Sequence, residues 1–316
     1  MRGPVDFHAH LIDPAVYGET QTFSIFAQTT DAARAASILA RMADIDERIA
    51  AMDAMGVCTQ ILSSSLVHQC TYDAAPDAGL RLDAAMNETI ARAVAAHPDH
   101  LRGLGSVPLQ APELAVRELT RCMSELGLSG VTISTRVRDL DIGDARLHPF
   151  WEAAESLGAV VFIHPAGNHD ARFRKWQLWN SIGQSFEEAM AIASLFYEGI
   201  LDAYPRLKIV ISHGGGYMPF YLGRIARNYV EKPATRVNMS KPPVDYLRML
   251  HYDTCVYDPD TLTDLVRVVG AERIVMGSDY PVGEMKPADF VRSCAALDAA
   301  GRALVLSGNA ARLLAR

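Results

Sequence analysis

Short apolar runs rich in β-branched residues alternate along the chain with longer stretches in which apolar residues recur every three or four positions. The short runs cover residues 5–10, 57–63, 101–107, 130–135, 159–164, 208–213, 251–256 and 273–279. Residues 32–55, 82–97, 112–126, 148–157, 185–204, 219–230, 259–269 and 287–300 read as helices, as in "DERIAAMDAM" and "EEAMAIASLFYEGILDAY". Pro112 and Pro259 suit first helical turns, and Asp258 stands where a cap for the second belongs. Eight apolar strands, each followed by a helix, predict an α/β fold of the (β/α)8 TIM-barrel type, one domain over residues 1–316. An open doubly wound sheet is the runner-up, but "HAHLIDPAV" after the first strand has no glycine with which to build a phosphate-binding turn.

Two stretches exceed this minimal pattern. Residues 12–30 form a polar and aromatic insertion after the first strand. Residues 168–183, "NHDARFRKWQLWNSIG", make a long loop after the fifth, carrying Trp176, Trp179 and several cations. In a barrel both belong to the rim at the strands' C-terminal ends, where functional loops gather.

Composition narrows the partners. A net charge of −7 and a pI near 5.8 argue against nucleic acid or anionic membrane, and no run of five or more basic residues appears. No apolar stretch approaches the roughly 18–20 residues that span a bilayer. A strand begins within a few residues of the N-terminus, so no signal peptide is expected. The five cysteines, Cys58, Cys70, Cys122, Cys255 and Cys294, are scattered and form no CxxC pair. They are read as packing residues in a reducing, cytoplasmic setting.

Polar residues collect at strand tips. His8 and His10 lie two apart on the first strand and project to one face. "AVVFIHP" reaches His164, "KIVISHGGG" reaches His213 and "RIVMGSDYP" reaches Asp279, each after an apolar strand body. In a barrel all five converge on the mouth. Imidazoles and a carboxylate suit Zn²⁺ and similar ions, with an open position if the site is catalytic. "GVTISTRVRD", at the fourth strand, offers no lysine and no carboxylate before Asp139 to bridge a second ion, so one metal is expected.

The blocks "DFHAH", "FIHP", "SHGGGYMPFYLGR" and "MGSDYP", in that order, resemble the metal-dependent amidohydrolase superfamily. The closer likeness is to its 2-amino-3-carboxymuconate-6-semialdehyde decarboxylase-like branch. "RIAAMDAMGV", "LGSVPLQ" and "LSGNAARLL" extend the likeness over almost the whole chain. The resemblance implies one divalent metal, usually zinc, held by His8, His10, His164 and Asp279 with water on the open position. It also implies His213 as the acid/base residue, and Arg224 as an arginine that reaches a neighbouring subunit's site to clamp a substrate carboxylate, hence a homodimer. Trp176 and Trp179 are expected as aromatic pocket wall, Trp176 in contact with substrate.

The chain departs from the branch at three places. In "YGETQTFSIFAQTTDAAR" no arginine falls where the branch has a substrate-binding one. "VGE" after "GSDYP" is shorter than the branch's turn, and His169 and Arg172 stand in the strand-five loop where the branch has other residues. These favour a small-molecule monocarboxylate with an aromatic or enol portion. The expected activity is non-oxidative decarboxylation of an unsaturated or hydroxyaromatic carboxylate. The alternatives are a hydrolase or hydratase using Asp279 as base, and a non-catalytic barrel.

Overall fold

The computed structural model describes residues 3–168 and 170–315. Eight parallel strands carry the fold: β1 (Val5–His10), β2 (Thr59–Ser63), β3 (Leu101–Gly103), β4 (Gly130–Ile133), β5 (Val160–Ile163), β6 (Lys208–Ile211), β7 (His251–Asp253) and β8 (Ile274–Val275). They pair in two runs, β1-β2-β3 and β4-β5-β6-β7-β8, with β4, β5 and β6 in simple register. Single bridges join the runs at both seams, Gly105 to Val131 and Ala9 to Tyr280. The second seam adds backbone bonds from Phe7 to Met276, from His10 to Tyr280 and from Asp279 to His8, at 2.8–3.0 Å. The sheet thus returns on itself as an eight-stranded barrel, which leaves no edge unpaired.

Helices cover the outside: α1 (Ala32–Ala43), α2 (Ile45–Met55), α3 (Pro76–Ala96), α4 (Pro112–Ser124), α5 (His148–Leu157), α6 (Ser185–Tyr197), α7 (Leu222–Glu231), α8 (Pro259–Val269), α9 (Pro287–Ser293) and α10 (Asn309–Leu314). Asp258 caps α8 as expected, accepting from the Thr261 N–H at 2.7 Å. The single helix expected over residues 32–55 is instead two. Asp44 accepts from the Glu47 N–H at 2.8 Å, an N-cap that launches α2 where α1 ends. Likewise the stretch 185–204 breaks at Gly199, whose φ of 83° ends α6 before a further short turn of helix.

The barrel interior and its outer surface bury different side chains. Ala9, Leu62, Val131, Ile133, Val161, Ile163, Ile209 and Ile211 pack into the large cluster beneath the helices. Val5, Phe7, Ile61, Leu104, Val160, Phe162, Val210 and Val275 fill the interior. The floor is sealed by α10, whose Ala310 and Leu313 join that inner cluster. Lys208, at the start of β6, donates through Nζ to the Leu313 and Ala315 carbonyls at 3.0 and 2.9 Å, satisfying groups that the helix end leaves open. Each buried Val, Leu, Ile or Phe side chain contributes about 1.5–3 kcal/mol, so the lower barrel is a packed anchor for its upper rim.

A shift in register between Asp6 and Ala9 interrupts the β1–β2 ladder. On a regular strand Phe7 and His8 would face opposite sides. Here both rings meet Phe162 of the interior, with centroids 6.1 and 5.0 Å away. The irregularity switches the phase of the strand: apolar residues fill the barrel below it, and His8 and His10 face inward above it.

Asp83 of α3 is fully buried, and burial raises its carboxyl from 3.8 to about 8, with Glu118 adding to the effect and the Ser106 and Thr71 hydroxyls opposing it. Between pH 4 and 8 the unfolded chain releases this proton while the folded chain keeps it, so the group makes stability fall as pH rises. Asp83→Asn should flatten the stability profile over that range and raise stability at pH 8 by a few kcal/mol. Urea midpoints measured at several pH values check this, and parallel profiles for both proteins would contradict it.

Candidate active site

The tips of β1, β5 and β8 bring His8, His10, His164 and Asp279 together, with one donor atom from each lying within 4.8 Å of the others. The hydrogen-bond network sets the tautomers of the first pair. His8 Nδ1 lies 2.6 Å from Asp253 Oδ2, a carboxylate that only accepts, so the proton is on Nδ1 and the Nε2 lone pair faces inward. His10 Nδ1 lies 3.2 Å from Ser63 Oγ, whose own hydrogen goes to the Ala9 carbonyl at 3.1 Å, so the same tautomer follows. His8 Nε2 is 3.1 Å from His10 Nε2, and Asp279 Oδ1 lies 2.9 Å from His10 Nε2 and 3.3 Å from His8 Nε2.

Three lone-pair atoms therefore crowd one point. Such an arrangement is repulsive unless a cation stands among them, and three imidazoles with one carboxylate are the ligand chemistry of a zinc-like divalent ion. The donor set fits a single metal. A second close group, His8, Asp253 and Cys255, shares His8 with the first. Its Asp253 is occupied in orienting that ring and in accepting the Gly214 and Cys255 N–H groups at 3.1 and 3.0 Å. At β4 the tip residues are Ser134 and Thr135, which supply no bridging carboxylate or lysine.

Electrostatics follow the same geometry. Burial lowers His10 to about 4, and burial with the neighbouring imidazoles of His10 and His8 lowers His164 well below its ordinary value, so both stay neutral and able to donate a lone pair. Burial works against the Asp279 carboxylate, but His8, His10 and His213 outweigh it and hold the group well below the usual range. Its other oxygen, Oδ2, accepts from the Tyr257 hydroxyl at 2.9 Å.

His213 stands opposite. Its Nε2 is 3.9 Å from Asp279 Oδ2, and its Nδ1 is 2.5 Å from Glu188 Oε1. Burial alone would depress this imidazole; the Glu188 carboxylate overrides it and raises the ring well above its ordinary value. The backbone turns sharply to deliver the ring, with φ of 47° at His213, then 62°, 80° and 60° through Gly214, Gly215 and Gly216. A Cβ on Gly216 would overlap the Ser185 carbonyl, so here glycine is obligatory and not merely flexible. Asp279 is also left-handed, at φ 59°. Residues held in this region cost roughly 1–3 kcal/mol each and persist where the surroundings overdetermine them.

These groups floor a cavity of about 710 Å³. Phe26, Ile38, Met42, Leu66 and Trp179 supply apolar wall, and Gln177, Asn180 and Gln184 a polar one. Trp179 is the aromatic wall; Trp176 is 83% exposed and lies outside the lining. The expectation of a substrate-contacting Trp176 is corrected here. Left-handed backbone at Trp176 and Gln177 (φ 55° and 58°) turns the loop back, and the Trp179 indole then donates to Gln177 Oε1 at 2.8 Å. Gln177 in turn donates to the Thr29 carbonyl at 2.8 Å, tying the two long rim loops together.

Arg224 is exposed on α7 and outside the cavity of its own chain. Arg34, in the first turn of α1 and the last residue of the stretch that appeared to lack a suitable arginine, does line the cavity, and its guanidinium makes no hydrogen bond or ion pair among the described residues. Arg172 pairs with Asp170 at 2.9 Å in the rim loop, and His169 lies outside the described residues. Sequence reasoning missed Asp253, Glu188, Tyr257 and Gln69, the last with Nε2 2.9 Å from His164 Nδ1. Only Asp253, a lone acid at the tip of an apolar strand, repeats the signal that marked Asp279.

Comparison with known proteins settles the family. A family model described as amidohydrolase matches residues 5–316. The chain belongs to the amidohydrolase family. It is 35% identical over 277 residues to 2-amino-3-carboxymuconate-6-semialdehyde decarboxylase of Dictyostelium discoideum, covering 86% of this chain and 76% of that protein. It is 31% identical over 290 residues to gamma-resorcylate decarboxylase of Polaromonas sp. (strain JS666 / ATCC BAA-500), covering 86% and 88%. A dihydroxybenzoic acid decarboxylase structure from Polaromonas sp. JS666, with bound manganese and the inhibitor 2-nitroresorcinol, superimposes with a TM-score of 0.88 at 27% identity, over 99% of this chain and 97% of that one. Among the described residues of this amidohydrolase, no helix is long and apolar enough to cross a membrane.

Because Asp253 alone orients His8, Asp253→Asn should weaken divalent-metal affinity about 10–100-fold while the protein stays folded. Competition against a chromogenic chelator measures this, and an unchanged affinity would remove Asp253 from that role.

Proposed function

We propose that this amidohydrolase is a non-oxidative decarboxylase of a hydroxyaromatic or related unsaturated carboxylate. It depends on one divalent ion, zinc, held by His8, His10, His164 and Asp279. The observation that carries the reading is the juxtaposition of that converged donor set with a separately held imidazole, His213, on the floor of an apolar-walled cavity. The similarity to decarboxylases of cyclic and open-chain unsaturated acids supports the same class.

When bound, the ion supplies Lewis acidity toward oxygen atoms of the substrate. The chain's own residues do the rest. Phe26, Leu66 and Trp179 line the cavity and offer apolar surface against which a flat ring can pack. Arg34 is the only guanidinium or ammonium group among the described lining residues, and it offers an unpaired cation to an anionic ligand. His213 delivers a proton from Nε2 to the carbon that bears the carboxylate. The C–C bond to that carboxylate then breaks, its electron pair restores the unsaturated system, and CO₂ leaves with hydrogen in its place. Hydrolysis with Asp279 as base is the weaker reading. Its Oδ1 lies among the lone pairs of the two β1 imidazoles, where the ion would stand, and its Oδ2 already accepts from Tyr257.

A homodimer in the cytoplasm is part of the same proposal. Phe186, Met190, Tyr217, Phe220 and Tyr221 leave large apolar surface exposed beside the helix that bears Arg224. Gly216 against Ser185 brings the two segments carrying these residues side by side. A second copy covering this face would bring Arg224 near the partner's cavity, where a bidentate guanidinium suits a carboxylate.

Metal-loaded protein incubated with salicylate and 2,6-dihydroxybenzoate should release CO₂ and the corresponding phenol. Dipicolinate should abolish turnover and Zn²⁺ restore it, whereas activity insensitive to chelator would overturn the reading. His213→Ala should keep the metal and lose about 100-fold or more in kcat. Mixing Arg224→Ala chains with His213→Ala chains should recover activity, since one hybrid site then has both groups. No recovery would confine Arg224 to its own chain.

A further inference from the structure

Glu188 has no place in the metal shell, yet it is fully buried behind the catalytic floor. It sits on α6 just ahead of Ala191, Ile192 and Leu195, which pack into the apolar cluster under the helices. An acid in such surroundings costs several kcal/mol unless its partners compensate. Both partners of Oε1 come from one dipeptide: the Ser212 hydroxyl donates at 2.6 Å and His213 Nδ1 lies at 2.5 Å. Oε2 has no partner. Every bond this carboxylate makes is therefore spent on His213 and the residue before it.

The imidazole needs such a hold. Its backbone is left-handed and is followed by three glycines, all with positive φ, a turn that fixes where the side chain emerges but not the rotation of its ring. Among the described residues its other polar side-chain approach is Nε2 to Asp279 Oδ2 at 3.9 Å, beyond hydrogen-bond reach. The ring also packs against His8 and His164, with centroids 5.2 Å away, contacts that do not distinguish its two nitrogens.

We infer that Glu188 is a positioning residue of the reaction: by accepting from His213 Nδ1 it fixes the ring plane and tautomer, so that Nε2 alone is presented to Asp279 and the substrate carbon. A carboxylate that only accepts admits no other arrangement of the nearer nitrogen. The logic is that of the acid which orients a histidine in hydrolase triads. The inference rests on the role assigned above to His213.

A double-mutant cycle tests it, with Glu188→Gln, His213→Ala and their combination assayed on 2,6-dihydroxybenzoate. Glu188→Gln should lower kcat about 10–100-fold with KM changed less than about threefold and the metal content intact. On the His213→Ala background the same change should cost less than about twofold more. A full, additive loss there would overturn the inference alone. An unaffected kcat in His213→Ala would overturn the His213 assignment and this one with it. A second readout does not depend on turnover. Proton NMR of the wild-type protein should show a far-downfield imidazole N–H resonance that vanishes in both His213→Ala and Glu188→Gln but persists in Glu188→Asp. A resonance that survives Glu188→Gln would also overturn it.

Discussion

The structure turns on the enforced closeness of atoms that repel one another. His8 Nε2, His10 Nε2 and Asp279 Oδ1 point lone pairs at a common centre from about 3 Å, inside a protein and away from water. In a medium of low dielectric that arrangement is unfavourable by several kcal/mol unless positive charge stands at the centre. Much of the surrounding chain can be understood as holding the atoms there regardless. Asp253 grips His8 from behind, Ser63 grips His10 and Tyr257 grips the free oxygen of Asp279. Asp253 and Ser63 are themselves held by backbone groups, Asp253 by the Gly214 and Cys255 N–H groups and Ser63 by the Ala9 carbonyl, so the donors are braced from behind.

The barrel makes such convergence possible. Its strands tilt into a closed ring, so residues at their tips are neighbours although they are hundreds of positions apart in the chain: His8 and Asp253 are separated by 245 residues. Packing divides the strand bodies into inner and outer clusters, and α10 seals the floor, so the ligand-facing polar groups gather at the upper rim. The register shift in β1 matters here. It allows Phe7 to belong to the packed interior while its immediate neighbour His8 belongs to the reactive mouth.

The rim loops add what the barrel lacks. The insertion after β1 contributes Phe26, α1 behind it contributes Arg34, Ile38 and Met42, and the stretch after β5 contributes Trp179 and three amides, joined through Gln177 and Thr29. The floor is generic to the metal chemistry, whereas these walls decide which carboxylate fits. One unpaired guanidinium in a wall of mixed apolar and neutral polar residues, with Asp31 and Glu284 also at the lining, favours a singly charged ring over a heavily charged chain.

Strand number, the alternation with helices and the five polar tips were all legible in the linear pattern, because a buried parallel strand must be apolar throughout and a histidine at its end then stands out. Helix breaks were less legible: Asp44 looks like one more polar residue within 32–55 until its side chain is seen accepting the Glu47 N–H. The supporting residues were illegible. Glu188 lies in an ordinary helical stretch, Tyr257 in a turn and Arg34 in the first turn of a surface helix, and no spacing rule links them to His213, Asp279 or the cavity. Trp176 and Trp179, three residues apart on one loop, could not be told apart until the left-handed turn at residues 176 and 177 sent one outward and the other in. Residue chemistry and short-range periodicity thus specify the scaffold and the ligands, since both depend on what each strand must bury. Which side chains brace those ligands and which wall the pocket depends on contacts between distant segments, and only the folded chain makes those contacts.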